Sequence, residues 1–246
     1  LLRKRPPRAA QQASASLRQP SETALQAARR LAPALEGTVL PIQGPPGSGK
    51  TYIGARMIVT LLAAGKRVGV TANSHKVIVN LLDEVCAVAR EESVAVRGLQ
   101  GAKPKQASTD QAIEPVGRNA ALPPKLDKTE ANLVAGTVWL WARTEMARSV
   151  DVLFVDEAGQ MSLANVLAAS QAADSVVLLG DPQQLEQPQQ GVHPPGTGLS
   201  ALEHLVGGRT LSPELGLFLE ETWRLHPDVC AFTSELYYDD LLSSRP

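Results

Sequence analysis

Short apolar runs alternate along this chain with stretches whose apolar residues recur at helical spacing. Residues 39–43 form a brief apolar run that reads as a buried strand, and residues 52–64 follow with Ile53, Met57, Ile58, Leu61 and Leu62 on one helical face, ending at Gly65. The unit then repeats. Residues 66–72 predict a second strand, and Asn73-Ser74-His75 leads into a helix with Val77, Ile78, Leu81, Leu82 and Val85 on one side. Further strands are predicted at 133–137, 152–157 and 176–179, with a helix over 163–173 between the last two. Upstream, Ser21 is a good N-cap for a helix through Leu25, Ala28, Leu31 and Leu35 to Gly37, and downstream a helix is predicted from Pro227 to Tyr238. Alternating strand and helix calls for a mostly parallel sheet with helices on both faces, an α/β fold.

Two stretches break the pattern. Residues 93–131 lose periodicity and gain Pro104, Pro115, Pro123 and Pro124, which predicts an inserted subdomain or loop. Residues 182–198 are rich in Gln, Pro and Gly and read as loop.

Composition narrows the class without naming a chemistry. The chain has 246 residues and a net charge of −1, so any nucleic-acid site must be a local patch rather than a global basic surface. Two such imbalances exist, at 1–20 (Arg3, Lys4, Arg5, Arg8, Arg18, no acid) and at 97–128; both are equally readable as solvated linkers. Cys86 and Cys230 lie far apart and suggest neither a disulfide framework nor a zinc site, which fits a cytoplasmic protein. No apolar run is long enough for a membrane span. The chain does not begin with Met, and its last residues follow a helical stretch without a clear terminus; we expect a fragment of a longer protein.

Between the first strand and its helix lies Gly44-Pro45-Pro46-Gly47-Ser48-Gly49-Lys50-Thr51, which meets every fixed position of the phosphate-binding pattern G-x-x-x-x-G-K-[ST]. Glycines here let backbone N–H groups wrap a polyphosphate at a helix N-terminus. Lys50 would reach the β- and γ-phosphates and Thr51 would hold Mg2+. The alternative is a turn that happens to be rich in glycine and proline. Residues 152–155 are apolar and run into Asp156-Glu157, the arrangement that a magnesium-dependent nucleotidase needs beside its phosphate loop. In a parallel sheet Asp156 would arrive at the same edge as Lys50 and hold Mg2+, with Glu157 orienting the attacking water. Adjacent acids also serve at helix N-termini, so that reading stays open.

Taken with Val155-Asp156-Glu157-Ala158-Gly159-Gln160 and Leu178-Leu179-Gly180-Asp181-Pro182-Gln183-Gln184-Leu185, the phosphate loop resembles motifs I, II and III of superfamily-one helicases, in the branch containing the nonsense-mediated-decay helicase. Val70-Thr71-Ala72-Asn73-Ser74-His75 resembles motif Ia, Ala135-Gly136-Thr137 the next strand-end motif, and Thr222-Trp223-Arg224-Leu225-His226-Pro227 motif IV, with Trp where Tyr is usual. The resemblance implies a RecA-like P-loop NTPase fold and an ATP- and Mg2+-dependent helicase acting on single-stranded DNA or RNA. It implies that Gln26 reads adenine, that Gln184 senses the γ-phosphate, and that Arg224 acts as an arginine finger. From the residues alone, Gln184 could cap a turn and Arg224 could be a surface cation.

For nucleic acid, Asn73, Ser74, His75 and Thr137 at strand ends could bond phosphates or sugars, or serve as caps. Trp139 and Trp141 could stack on bases or belong to the core. The expected organisation is a basic linker over 1–20, a first motor domain over 21–92 and 132–212 with 93–131 inserted, and the start of a second motor domain from 213 to 246. Motifs V and VI do not occur, so the fragment is expected to be weakly active alone and to need a second motor domain. Two other classes remain open: a small-molecule P-loop phosphotransferase, and a nucleotide-dependent scaffold without unwinding.

Overall fold

A computed structural model describes residues 1–8, 16–184 and 198–245. Leu185 and most of the loop expected over 182–198 therefore lie outside the described residues, as does part of the basic segment at the start. Eight parallel strands form one sheet in the order β4-β3-β5-β2-β6-β7-β1-β8. They are β1 (Val39–Gln43), β2 (Val68–Thr71), β3 (Gly98–Gln100), β4 (Ile113–Pro115), β5 (Leu133–Ala135), β6 (Val150–Val155), β7 (Ala173–Gly180) and β8 (Leu217–Phe218). The helices are α1 (Ala24–Leu31), α2 (Lys50–Ala63), α3 (His75–Glu91), α4 (Leu122–Leu126), α5 (Val138–Trp141), α6 (Leu163–Ser170), α7 (Ala201–Val206) and α8 (Pro227–Tyr237). A small parallel pair, β9 (Glu221–Thr222) with β10 (Ser243–Ser244), stands beside α8.

Successive side chains of a strand point to opposite faces, and here they sort into two cores. Leu40 and Ile42, Val68 and Val70, Val152 and Phe154, and Val177 and Leu179 pack with α1, α2 and α3. Val134, Leu153 and Val155, and Val176 and Leu178 pack with α4, α5, α6 and α7. Strands buried on both sides explain why the sequence shows them as continuous apolar runs rather than alternating ones.

Residues 93–131 were expected as an insertion or loop, but they carry β3 and β4 at one edge of the main sheet, followed by α4. Three-residue strands are too short to show a period, and Pro115 is tolerated because β4 is the edge strand. At the other edge β8 pairs with β1, so residues 217–218 complete the sheet that holds the phosphate loop. The first helix is capped by Thr23 rather than Ser21: Thr23 Oγ1 accepts from Gln26 N while Gln26 Oε1 accepts from Thr23 N, a reciprocal cap that outcompetes a single serine.

The tryptophan pair divides. Trp141 is fully buried and its Nε1 donates to the carbonyls of Val70 and Gly136 at 3.2 and 3.0 Å, whereas Trp139 is 76% exposed. Trp141→Ala is expected to cost ~3–5 kcal/mol of stability, and Trp139→Ala to stay within about 0.5 kcal/mol; denaturant unfolding of both variants checks the difference.

Candidate nucleotide site

The site forms where the carboxyl ends of β1, β6 and β7 meet. Register aligns Gln43 with Gly180 across β1 and β7, and Val155 with Leu178 across β6 and β7. The ladder runs on into the loops: Gly44 N donates to Gly180 O at 2.8 Å and Ala158 N to Leu179 O at 2.8 Å. Gly159 is required at this crossing, because a Cβ there would lie 2.2 Å from Asp181 O.

The phosphate loop is tightly held. Ser48 N donates to Pro45 O at 3.1 Å, and Gly49 (φ +82°) is the left-handed N-cap from which α2 starts at Lys50. Lys50 Nζ lies on Gly44 O at 2.7 Å. From outside, Thr222 Oγ1 donates to Pro46 O at 2.8 Å and Trp223 N to Gly47 O at 3.1 Å. Gly47 (φ +78°) presses so close to this strand that a Cβ would lie 2.4 Å from Arg224 Cβ and 2.8 Å from Thr222 Oγ1.

A cavity of about 600 Å³ opens on the loop, lined by Pro46 to Tyr52, Glu84, Glu157, Gln184, Trp223 and Arg224. It brings together Lys50, Thr51, Glu157, Gln184 and Arg224, which are separated by as many as 174 positions in sequence (224 − 50). Asp156 sits beneath, 4% exposed, with its N–H on Thr71 O at 2.8 Å and its Oδ1 accepting from Glu157 N at 2.9 Å. Burial and the neighbouring Glu157 push its pKa up to about 6, while Glu157 N–H and Lys50 pull the other way. Such a carboxylate would be stabilised by a cation. Glu157 itself adopts φ +54°, a left-handed backbone that costs a non-glycine residue and is held by its surroundings. Ser48 Oγ and Thr71 Oγ1 are buried without a hydrogen-bond partner among the described residues.

A second cavity, about 680 Å³, lies across the same loop between α1 and the 219–223 segment, with Thr23, Ala24, Leu25, Tyr52, Leu219 and Trp223 among its lining. The Gln26 side-chain oxygen is engaged in the α1 cap, on the turn that borders this cavity.

A family model for the AAA domain matches residues 21–194. The chain belongs to the AAA domain family. This AAA domain is 26% identical over 148 residues to the DNA replication ATP-dependent helicase/nuclease DNA2 of Saccharomyces cerevisiae, a match covering 58% of the chain. It spans 10% of that relative's length. Among solved structures, its fold resembles arterivirus nonstructural protein 10 (helicase) in complex with DNA, at a TM-score of 0.54 and 17% identity, covering 91% of this chain and 43% of that one. The same helicase solved as a separate crystal structure gives 0.52 at 16% identity, with 85% and 41% covered. The parallel sheet is thus RecA-like in fold and shares its architecture with those structures.

The nucleic-acid candidates of the AAA domain are less uniform. Asn73 Nδ2 donates to Gln160 O at 3.0 Å, tying β2 to the turn after Glu157, and Ser74 caps α3 by accepting from Val77 N at 3.3 Å. His75 Nδ1 is buried without a partner among the described residues, and burial lowers its pKa. Thr137 stands at the N-cap just before α5, and its side chain makes no cap bond among the described residues. Because β2 and β5 are paired, these residues share one edge with Trp139 nearby on α5. Tyr52, Glu84 and Trp223 were not anticipated as cavity residues; Tyr52 follows the phosphate loop directly, and its ring lies 3.3 Å below the Arg56 guanidinium.

Gly47→Ala is expected to cost ~1–3 kcal/mol, through strained backbone and the clash with Arg224. Gly117→Ala, where a Cβ meets open space, should stay within about 0.5 kcal/mol. Denaturant unfolding of the two variants makes the comparison.

Proposed function

We propose that this chain is the ATP-hydrolysing motor domain of a helicase or translocase that moves along single-stranded DNA or RNA, in the branch resembling the nonsense-mediated-decay helicase. The observation that carries the reading is the single cavity shared by Lys50, Thr51, Glu157, Gln184 and Arg224. Similarity to a DNA replication helicase adds to it.

In this reading Gly44 to Gly49 wrap the phosphates with backbone N–H groups at the N-terminus of α2, where the helix dipole favours negative charge. Lys50 leaves Gly44 O for the β- and γ-phosphates. Gln26 and the cavity walls at Thr23 to Leu25 and Trp223 receive the base. The Asp156 carboxylate, buried beneath the phosphate loop, fits a magnesium ion, which it would hold together with the Thr51 hydroxyl, water and phosphate oxygens. Bound there, the ion would withdraw charge from the phosphate oxygens. Glu157 orients a water and accepts its proton as the water attacks the γ-phosphorus and the bond to the β–γ bridging oxygen breaks, giving ADP and phosphate. Gln184 contacts the γ-phosphate, and Arg224 neutralises charge that develops on it. Ser74, His75 and Thr137 hold the strand by its backbone, while Asn73 acts indirectly through its bond to Gln160. A second motor domain was expected over 213–246; because β8 at 217–218 belongs to the first sheet, we propose that it begins after β8 and completes the site.

Lys50→Ala is expected to weaken ATP binding about ten- to a hundredfold, by removing a charged donor. Glu157→Gln should keep binding and lower turnover about 10²–10⁴-fold. Fluorescent-nucleotide titration and phosphate release measure both, and equal ATP affinity in Lys50→Ala and wild type would contradict the assignment. In the full-length protein single-stranded DNA or RNA should stimulate turnover; stimulation by neither would favour a small-molecule phosphotransferase.

A further inference from the structure

α8 and its neighbours have a small core of their own, Cys230, Tyr238 and Leu242 with Phe218 and Leu225 against them, separate from the two cores of the sheet. Specific bonds join this unit to the nucleotide site. At one end Thr222 and Trp223 hold the carbonyls of Pro46 and Gly47. At the other, the Tyr238 hydroxyl donates to Asp181 Oδ2 at 2.7 Å, with Tyr238 3% and Asp181 1% exposed.

Asp181 in turn organises the residues after β7. Its Oδ1 accepts from Gln183 N at 3.1 Å, and its backbone carbonyl accepts from Gln184 N at 3.4 Å. Burial raises the Asp181 pKa, and the Tyr238 hydroxyl offsets this, followed by Gln183 N–H, Lys50 and Gln43. Burial, and then the carboxylate itself, push the Tyr238 hydroxyl up, so it stays a donor. A buried carboxylate that loses a donor carries its desolvation cost uncompensated and recruits other groups. One group already on this carboxylate is the Gln183 N–H, in the turn whose next residue, Gln184, lines the cavity.

We propose that Tyr238 is a positioning residue: through Asp181 it sets Gln184 against the nucleotide, and because the same unit grips Pro46 and Gly47, it couples that setting to the opposite wall of the cavity. The inference rests on reading Gln184 as the contact to the γ-phosphate.

The test is steady-state ATP hydrolysis by the full-length protein, with saturating single-stranded DNA or RNA, in wild type, Tyr238→Phe, Gln184→Ala and the double variant. Tyr238→Phe is expected to lower kcat about tenfold and to leave KM for ATP within about twofold. The double variant should be no slower than Gln184→Ala alone. If Tyr238→Phe does not fold, Tyr238→Phe combined with Asp181→Asn, which removes the buried charge, is measured in its place with the same expectation. Unchanged kcat with a lower Tm, or losses that multiply in the double variant, would overturn the proposal and leave the ATPase reading standing. Absence of ATP turnover in wild type with any strand would bring down the ATPase reading, and this inference with it.

Discussion

The parallel register of β6, β7 and β1 is the constraint on which the rest depends. Pairing Gln43 with Gly180 and Val155 with Leu178 makes three chains leave the sheet at one edge, and so delivers Gly44, Asp156 and Asp181 side by side. Parallel pairing needs long crossovers, and the helices that supply them bury both faces. A slip of one residue would turn every inward side chain of a strand to the other core. The contact of Gly159 with Asp181 O shows how closely the emerging loops are packed.

Onto that edge the chain places charge with little to compensate it. Lys50 rests on a carbonyl rather than a carboxylate, and Asp156 is buried with its pKa raised to about 6. Ser48 Oγ and Thr71 Oγ1 find no partner among the described residues. Because buried polar groups are as a rule paired, underused groups beside the phosphate loop suit a ligand that carries both phosphate and cation. The 222–224 segment makes the second wall, and its grip on Pro46 and Gly47 links the phosphate loop to α8.

The strands of the centre were legible because burial on both faces makes them continuous apolar runs, as in 152–155 and 176–179. The phosphate loop was legible because its glycines answer a backbone demand. What escaped was set by tertiary pairing: β3 and β4 are three residues each, and β8 is two. Trp139 and Trp141 look alike in sequence, yet only the second has carbonyls of Val70 and Gly136 to satisfy its Nε1. Asn73 could have been free at a strand end, but Gln160, distant in sequence, takes its side chain. Tyr238 gave no signal, since its partner lies 57 positions away.

In the proposed reading Glu157 lines the nucleotide cavity and the turn after it holds Asn73 through Gln160 O, beside Ser74 and His75, so nucleotide and nucleic acid are expected to influence each other's binding. Fluorescence anisotropy of a labelled single strand, titrated with the full-length Glu157→Gln protein in the presence of ATP and then of ADP, measures this linkage directly. We expect the two strand affinities to differ by about fivefold or more. Identical affinities in the two nucleotide states would contradict the account.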